Sequence, residues 1–160
     1  MADVRPVLVL RPEPVGSPDA RWLLTEYRAE IHRRWSGPAP ADPLPAEAPA
    51  DLELGPPEGV FLLARLDGRP VGCAGVRVLE PGTAELKRLY VREEARGHGL
   101  GRRLLAAAED AARGLGHTRL RLDTMAEMPE ARALYTAAGY LDVPAYNTNP
   151  YAADWLEKAL

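Results

Sequence analysis

Three segments in immediate succession, between residues 84 and 124, leave few folds open to this chain. Residues 84–91 run in near alternation, residues 98–115 set Leu100, Leu104, Ala108, Ala111 and Leu115 on one helical face, and residues 117–124 alternate again. A strand, helix, strand unit predicts a parallel pair, because the helix must carry the chain back to the edge where the first strand began. The alternation in 84–91 also changes phase. Leu86 is apolar between Glu85 and Lys87, whereas Leu89 and Val91 are apolar on the opposite parity, which predicts a β-bulge near residues 87–90.

The remaining segments build a mixed sheet around that unit. Residues 4–11 read as a first strand, and Ser17-Pro18 opens a helix over 18–35 in which Leu24, Tyr27, Ile31 and Trp35 share a face. Residues 60–66 and 71–79 flank Asp67-Gly68, a pair suited to a tight hairpin turn. Pro129 opens a short helix ending at Gly139, residues 140–146 read as a sixth strand and 151–160 as a seventh. The expected fold class is therefore α/β (α+β), one domain over residues 1–160, with antiparallel N-terminal strands and a parallel central pair. The exception is residues 36–57, which hold seven of the sixteen prolines. Proline removes amide donors and fixes φ, so this stretch is expected to be an irregular surface loop or a lid on the substrate side.

Between the bulged strand and the long helix lies Arg96-Gly97-His98-Gly99-Leu100-Gly101. Glycines let a backbone approach a ligand closely, and the first-turn amides of a helix are unsatisfied donors at the positive end of its dipole, a setting that binds phosphate. Residues 85–121 carry nine basic and five acidic residues, +4 against a chain total of −3, so cationic charge collects around this loop. Two phosphate motifs fail. The dinucleotide fingerprint counted from Gly97 needs glycine where Arg102 stands, and no Gly-Lys-Ser/Thr follows.

The run ELKRLYVREEARGHGLG followed by ALYTAAGY resembles the GNAT superfamily of acetyl-CoA-dependent N-acetyltransferases. Arg96, Gly99 and Gly101 match its R/Q-x-x-G-x-G/A loop, and Leu134, Tyr135, Gly139 and Tyr140 match its L-Y-x-x-x-G-F/Y segment. The resemblance covers about residues 60–160. It implies a seven-stranded sheet with a V-shaped gap that takes acetyl-CoA. Leu89, Tyr90 and Val91 would pair with the pantetheine arm, and Arg96, Gly97, His98, Gly99, Leu100, Gly101 and Arg102 would hold the pyrophosphate. Tyr135 would protonate the departing thiolate, and Glu85 would act as base, with Asp123 a second candidate. Many members have asparagine where this chain has Met128. Tyr27 and His32 on the first helix, and Tyr146 and Asn147 near the sixth strand, are candidates for contact with a small-molecule or protein amine.

Other classes are weighed against these residues. The net charge gives no general attraction to nucleic acid or acidic lipid. Cys73 stands alone and His32, His98 and His117 lie far apart, so neither a disulfide framework nor a zinc spacing is readable, and Cys73 reads as core. No segment approaches the ~20 apolar residues of a membrane span, so a cytoplasmic monomer or homodimer is expected. Two rival readings stay open: a non-catalytic CoA-binding regulatory module, and an enzyme using the same glycines for ATP or NAD.

Overall fold

The structure, a computed structural model, describes residues 5–39 and 49–160. Seven strands form one sheet: β1 (Leu8–Pro12), β2 (Val60–Leu66), β3 (Arg69–Glu80), β4 (Thr83–Val91), β5 (Arg119–Thr124), β6 (Leu141–Asp142) and β7 (Asp154–Ala159). Their order is β1-β2-β3-β4-β5-β7-β6. Only β4 and β5 are parallel; the other neighbours run antiparallel. Three helices, α1 (Pro18–Arg34), α2 (Leu100–Gly114) and α3 (Pro129–Ala137), complete the fold.

Alternation along the strands divides the core between two faces. On the back face, Leu62, Val76, Leu86, Leu120 and Leu122 pack with Leu104, Leu105 and Ala108 of α2 and Tyr135 of α3. On the front, Phe61, Leu63, Cys73 and Tyr90 meet Ala20, Leu23 and Leu24 of α1. The β2–β3 hairpin turns through Asp67 (φ 49°) and Gly68 (φ 80°), the paired positive φ of a two-residue hairpin turn. Asp67 also accepts the Val7 amide at 2.9 Å, tying the turn to the start of β1.

Several boundaries differ from the sequence expectation, each for a local reason. The first strand begins at Leu8, with Val4 outside the described residues, and α1 ends at Arg34. The long helix starts at Leu100, because Gly97 and Gly99 have φ of 82° and 77°, outside the helical region. It buries Leu105, Glu109 and Ala112 beside Leu100, Leu104 and Ala108, while Ala111 and Leu115 are only half-buried. Glu109 is tolerated there because it accepts Lys158 Nζ at 2.9 Å and the Tyr140 hydroxyl at 3.2 Å. The sixth strand is two residues instead of seven: Val143 still donates to the Trp155 carbonyl, but Pro144 has no amide to continue the ladder. The seventh begins at Asp154, not 151, and β5 at Arg119, not 117.

The largest correction concerns residues 36–57. Residues 40–48 of that stretch lie outside the described residues. The remainder is not simply a surface loop: residues 49–53 form a 3-10 turn, and Leu54 is 1% exposed in the front core. Leu54 fits because β3 has glycine at the opposing position; a Cβ on Gly75 would come within 2.8 Å of Leu54 Cδ1. Asp51, also buried, bonds Arg28 and accepts Arg88 Nε at 3.1 Å.

Candidate active site

The sheet opens at its centre. β4 and β5 pair only where Thr83, Ala84 and Glu85 face Arg119, Leu120 and Arg121. Beyond that point β4 continues against β3, and β5 continues against β7 through Asp123 and Thr124, so the two strands part. The bulge lies just past the fork. Cys73 pairs with Tyr90 and Gly75 with Lys87, so two steps on β3 span three on β4. Arg88 takes the strain with φ 59°, its carbonyl accepting Cys73 Sγ at 3.3 Å, while its guanidinium lies 5.8 Å from the Tyr27 ring and bonds Asp51.

An outer cavity of about 370 Å³ follows the bulge, between Leu89, Tyr90 and Val91 on one side and Met128, Ala131 and Leu134 on the other. Its floor is Gly97, Gly99, Leu100, Gly101 and Arg102. A Cβ added at Gly97 or Gly99 would meet nothing within 4 Å, so both face open space. The first α2 backbone bond runs from the Arg103 amide to the Gly99 carbonyl, leaving the amides before Arg103 pointing out of the helix mouth. Gly101 has a tighter reason: its Cβ would sit 3.4 Å from Leu134 Cδ2 and narrow the groove. Arg96 lines the cavity, but its guanidinium is engaged, Nη2 donating to both Glu30 oxygens at 2.7 and 2.8 Å and Nε to the Val91 carbonyl at 2.8 Å. It thereby ties the loop to β4 and α1. His98 is exposed and does not line this cavity.

An inner cavity of about 110 Å³ fills the fork itself, lined by Tyr27, Ile31, Lys87, Arg88, Asp123, Tyr135, Asn149 and Tyr151 among others. The two cavities share Leu89, Met128 and Ala131 in their walls, so they adjoin. Tyr135 enters from α3, packed edge-on against Tyr140 at 5.9 Å. Its hydroxyl forms no hydrogen bond with a described residue. Burial, with the nearby Tyr27 hydroxyl and Asp123 carboxylate, raises its pKa above the ordinary phenol value and keeps it protonated.

Asp123 is held by neutral donors: Asn147 Nδ2 at 2.7 Å on one oxygen and Asn149 Nδ2 at 3.1 Å on the other. Trp155 Nε1 donates to Asn147 Oδ1 at 2.9 Å and orients that amide in turn. No described cation lies within 4 Å of Asp123. Glu85, by contrast, is fully buried outside the inner cavity, accepting Arg77 Nε at 2.7 Å and the Tyr146 hydroxyl at 2.7 Å.

The expected site residues thus divide by position. Leu89, Tyr90, Val91, Gly97, Gly99, Leu100, Gly101 and Arg102 converge on the outer cavity, and Tyr27 and Tyr135 on the inner one. Asn147 stands behind Asp123 and Tyr146 behind Glu85. His32 is exposed, 6.4 Å from the Tyr151 ring, and lines neither cavity. Lys87, Arg88, Asp51 and Tyr151 were missed. Only the bulge offered a signal for the first two, since it turns consecutive side chains toward one face.

The acetyltransferase (GNAT) family matches residues 22–140. An IAA acetyltransferase from Azospirillum brasilense is 38% identical over 127 residues, 74% of this chain and 82% of the relative. An aminoglycoside N(6')-acetyltransferase type 1 from Stenotrophomonas maltophilia is 36% identical over 89 residues, 51% of this chain and 58% of its own length. Among solved structures, a Klebsiella pneumoniae protein described as an acyl-CoA N-acyltransferase superposes with TM-score 0.77 at 27% identity, covering 96% of this chain and 98% of that one. A GNAT acetyltransferase from Elizabethkingia anophelis with acetyl-CoA bound shares the fold at TM-score 0.68 and 20% identity, covering 96% and 98%.

Proposed function

The chain belongs to the acetyltransferase (GNAT) family, and from that premise we propose that it transfers an acetyl group from acetyl-CoA to a primary amine of a small molecule or protein by direct attack on the thioester. One domain over residues 1–160 carries the reaction. The observation that carries this reading is that the two cavities adjoin along Leu89, Met128 and Ala131, which sets the glycine-lined mouth of α2 and the buried Tyr135 at the two ends of one gap.

Acetyl-CoA supplies an activated acyl group on a thiol leaving group. The open faces of Gly97 and Gly99 and the outward amides of the α2 mouth fit its diphosphate. The exposed Arg102 adds charge there. Leu89, Tyr90 and Val91 fit its amide-bearing arm, because their strand has no β5 partner at that level. Met128 offers a thioether where an asparagine contact would otherwise form, so this chain relies on β4 for polar contact with the arm.

A protonated amine must first lose a proton. For a lysine-like amine of pKa ~10.4, deprotonation at pH 7 costs ~4.6 kcal/mol, against ~1 kcal/mol for an α-amine near 7.7. Asp123, facing the inner cavity, accepts that proton, while Glu85, bonded to Arg77 and Tyr146, is the other carboxylate at the fork. The amine nitrogen then forms the N–C bond as the C–S bond breaks. Tyr135 protonates the thiolate, the proton shed by the acylated nitrogen restores Tyr135, and the proton held by Asp123 leaves to solvent. The test combines ligand binding and turnover. Acetyl-CoA is expected to raise the melting temperature more than ATP or NAD at equal concentration, and an amine panel to consume thioester. Preference for a nucleotide overturns the reading, and binding without any acetylated amine points to a regulatory CoA-binding module instead.

A further inference from the structure

Glu85 pairs with Arg121 at the last rung before β4 and β5 part. Two residues further along each strand, on the same front face, stand Lys87 and Asp123. In an unbroken sheet these would be cross-strand neighbours able to form an ion pair. Here the fork separates them beyond 4 Å, and both line the inner cavity.

Each is left without a full partner. Asp123 has only the asparagine amides. Lys87 is about one-fifth exposed, and its nearest carboxylate oxygen, on Glu85, is 3.8 Å away, beyond hydrogen-bond distance. That oxygen already accepts Arg77 Nε, and its mate accepts Tyr146. Arg88, the other cation on the wall, is spent on Asp51. Lys87 and Arg88 also border a further cavity of about 150 Å³ with Glu53, Leu54 and Arg77, so the Lys87 side chain lines two hollows. A half-buried ammonium whose one carboxylate neighbour is distant and shared with Arg77 and Tyr146 is only partly compensated, and a ligand carboxylate completes the pairing.

We propose that the acceptor is an aminocarboxylate, its amine seated on Asp123 and its carboxylate on Lys87, across the fork. This rests on the acetyltransferase reading above and names its substrate class. An amine carrying one anion satisfies both walls, whereas a plain amine leaves Lys87 with only its long, shared contact to Glu85.

The experiment uses paired acceptors with the full chain: alanine, serine, histidine and β-alanine against ethylamine, ethanolamine and histamine. Turnover is followed by thiol release, and binding to the CoA complex by calorimetry. At least one aminocarboxylate is expected to exceed its decarboxylated partner by tenfold or more in kcat/KM. Lys87→Gln is expected to shrink that ratio below threefold, and Lys87→Arg to keep it, with acetyl-CoA still raising the melting temperature of both variants. Equal use of the decarboxylated amines, or a ratio that survives Lys87→Gln, overturns the acceptor class and leaves the transferase reading standing. So does acetyl-CoA binding with no aminocarboxylate bound or acetylated. Failure of acetyl-CoA to bind at all overturns both.

Discussion

The two ends of the central gap are made of different materials. The outer cavity is built largely from backbone: a bulge, the mouth of α2 and two glycines at positive φ, all within residues 87–102. The inner cavity is built from side chains that α1, β4, β5, α3 and residues 149–152 bring together across the sequence. A backbone site recognises what is common to all ligands of its class, a diphosphate and an extended amide arm. A side-chain site can be rewritten one residue at a time, so the choice of acceptor belongs to the inner end. Arg96 and Arg88 mark the contrast, since both are locked in place by carboxylates and thereby fix the walls of the two cavities.

Substitutions can separate the two ends. Asp123→Asn has the largest expected effect, a loss of about 10²–10⁴ in kcat/KM for a high-pKa amine, with acetyl-CoA binding retained. If acetyl-CoA binding fell as well, the two ends would not be independent. Leu54→Ala is expected to cost about 2–5 kcal/mol of stability by emptying the space over Gly75. Denaturant unfolding checks this, and a change within 0.5 kcal/mol would show that Leu54 is not a core residue. Tyr135→Phe should lower kcat about 10²-fold, the low end for general acid catalysis, because a thiolate of pKa ~8.5 departs with modest help. Because the folded-state phenol is raised, it stays protonated through neutral and mildly alkaline pH. The wild-type rate profile should therefore show no alkaline fall attributable to Tyr135 below pH ~10.

Gly101→Leu comes next, directed at the outer end: overpacking against Leu134 is expected to weaken acetyl-CoA by about 1–3 kcal/mol, while acceptor KM stays within a factor of two. Calorimetry with CoA reads the first and steady-state kinetics the second. The smallest effect concerns Cys73, whose thiol burial pushes from 9.0 up to about 12. The native chain should therefore resist iodoacetamide at pH 8.5 by about 10³-fold relative to the unfolded chain. Its folded pKa is raised, so the associated stability is present below pH 9 and is lost as pH rises through 12. Rapid native labelling would place Cys73 at the surface.

The legible parts of the site were those whose cause is local. The phase change between Leu86 and Leu89 announced the bulge that Arg88 makes at φ 59°, and the glycines announced a helix mouth with open amides, although the helix begins at Leu100 and not at 98. Tyr135 was found through its resemblance to a family segment. Leu54 was not found, because a leucine among prolines looks like a loop residue until Gly75 is set opposite it. The same holds for the bond from Tyr146 to Glu85, 61 positions apart, and for the asparagines behind Asp123.

What residue order alone determined is the set of elements, the bulge, the helix mouth and the family, since each follows from periodicity, glycine placement or a contiguous motif. Only the tertiary structure decided that β4 and β5 part after Glu85, that Asp123 and not Glu85 faces the cavity, and that Lys87 stands opposite it. The physical reason is that a strand's neighbours across a gap are set by register between segments more than 30 residues apart. Charges that this register sets apart across the gap have no signature in the sequence of either strand.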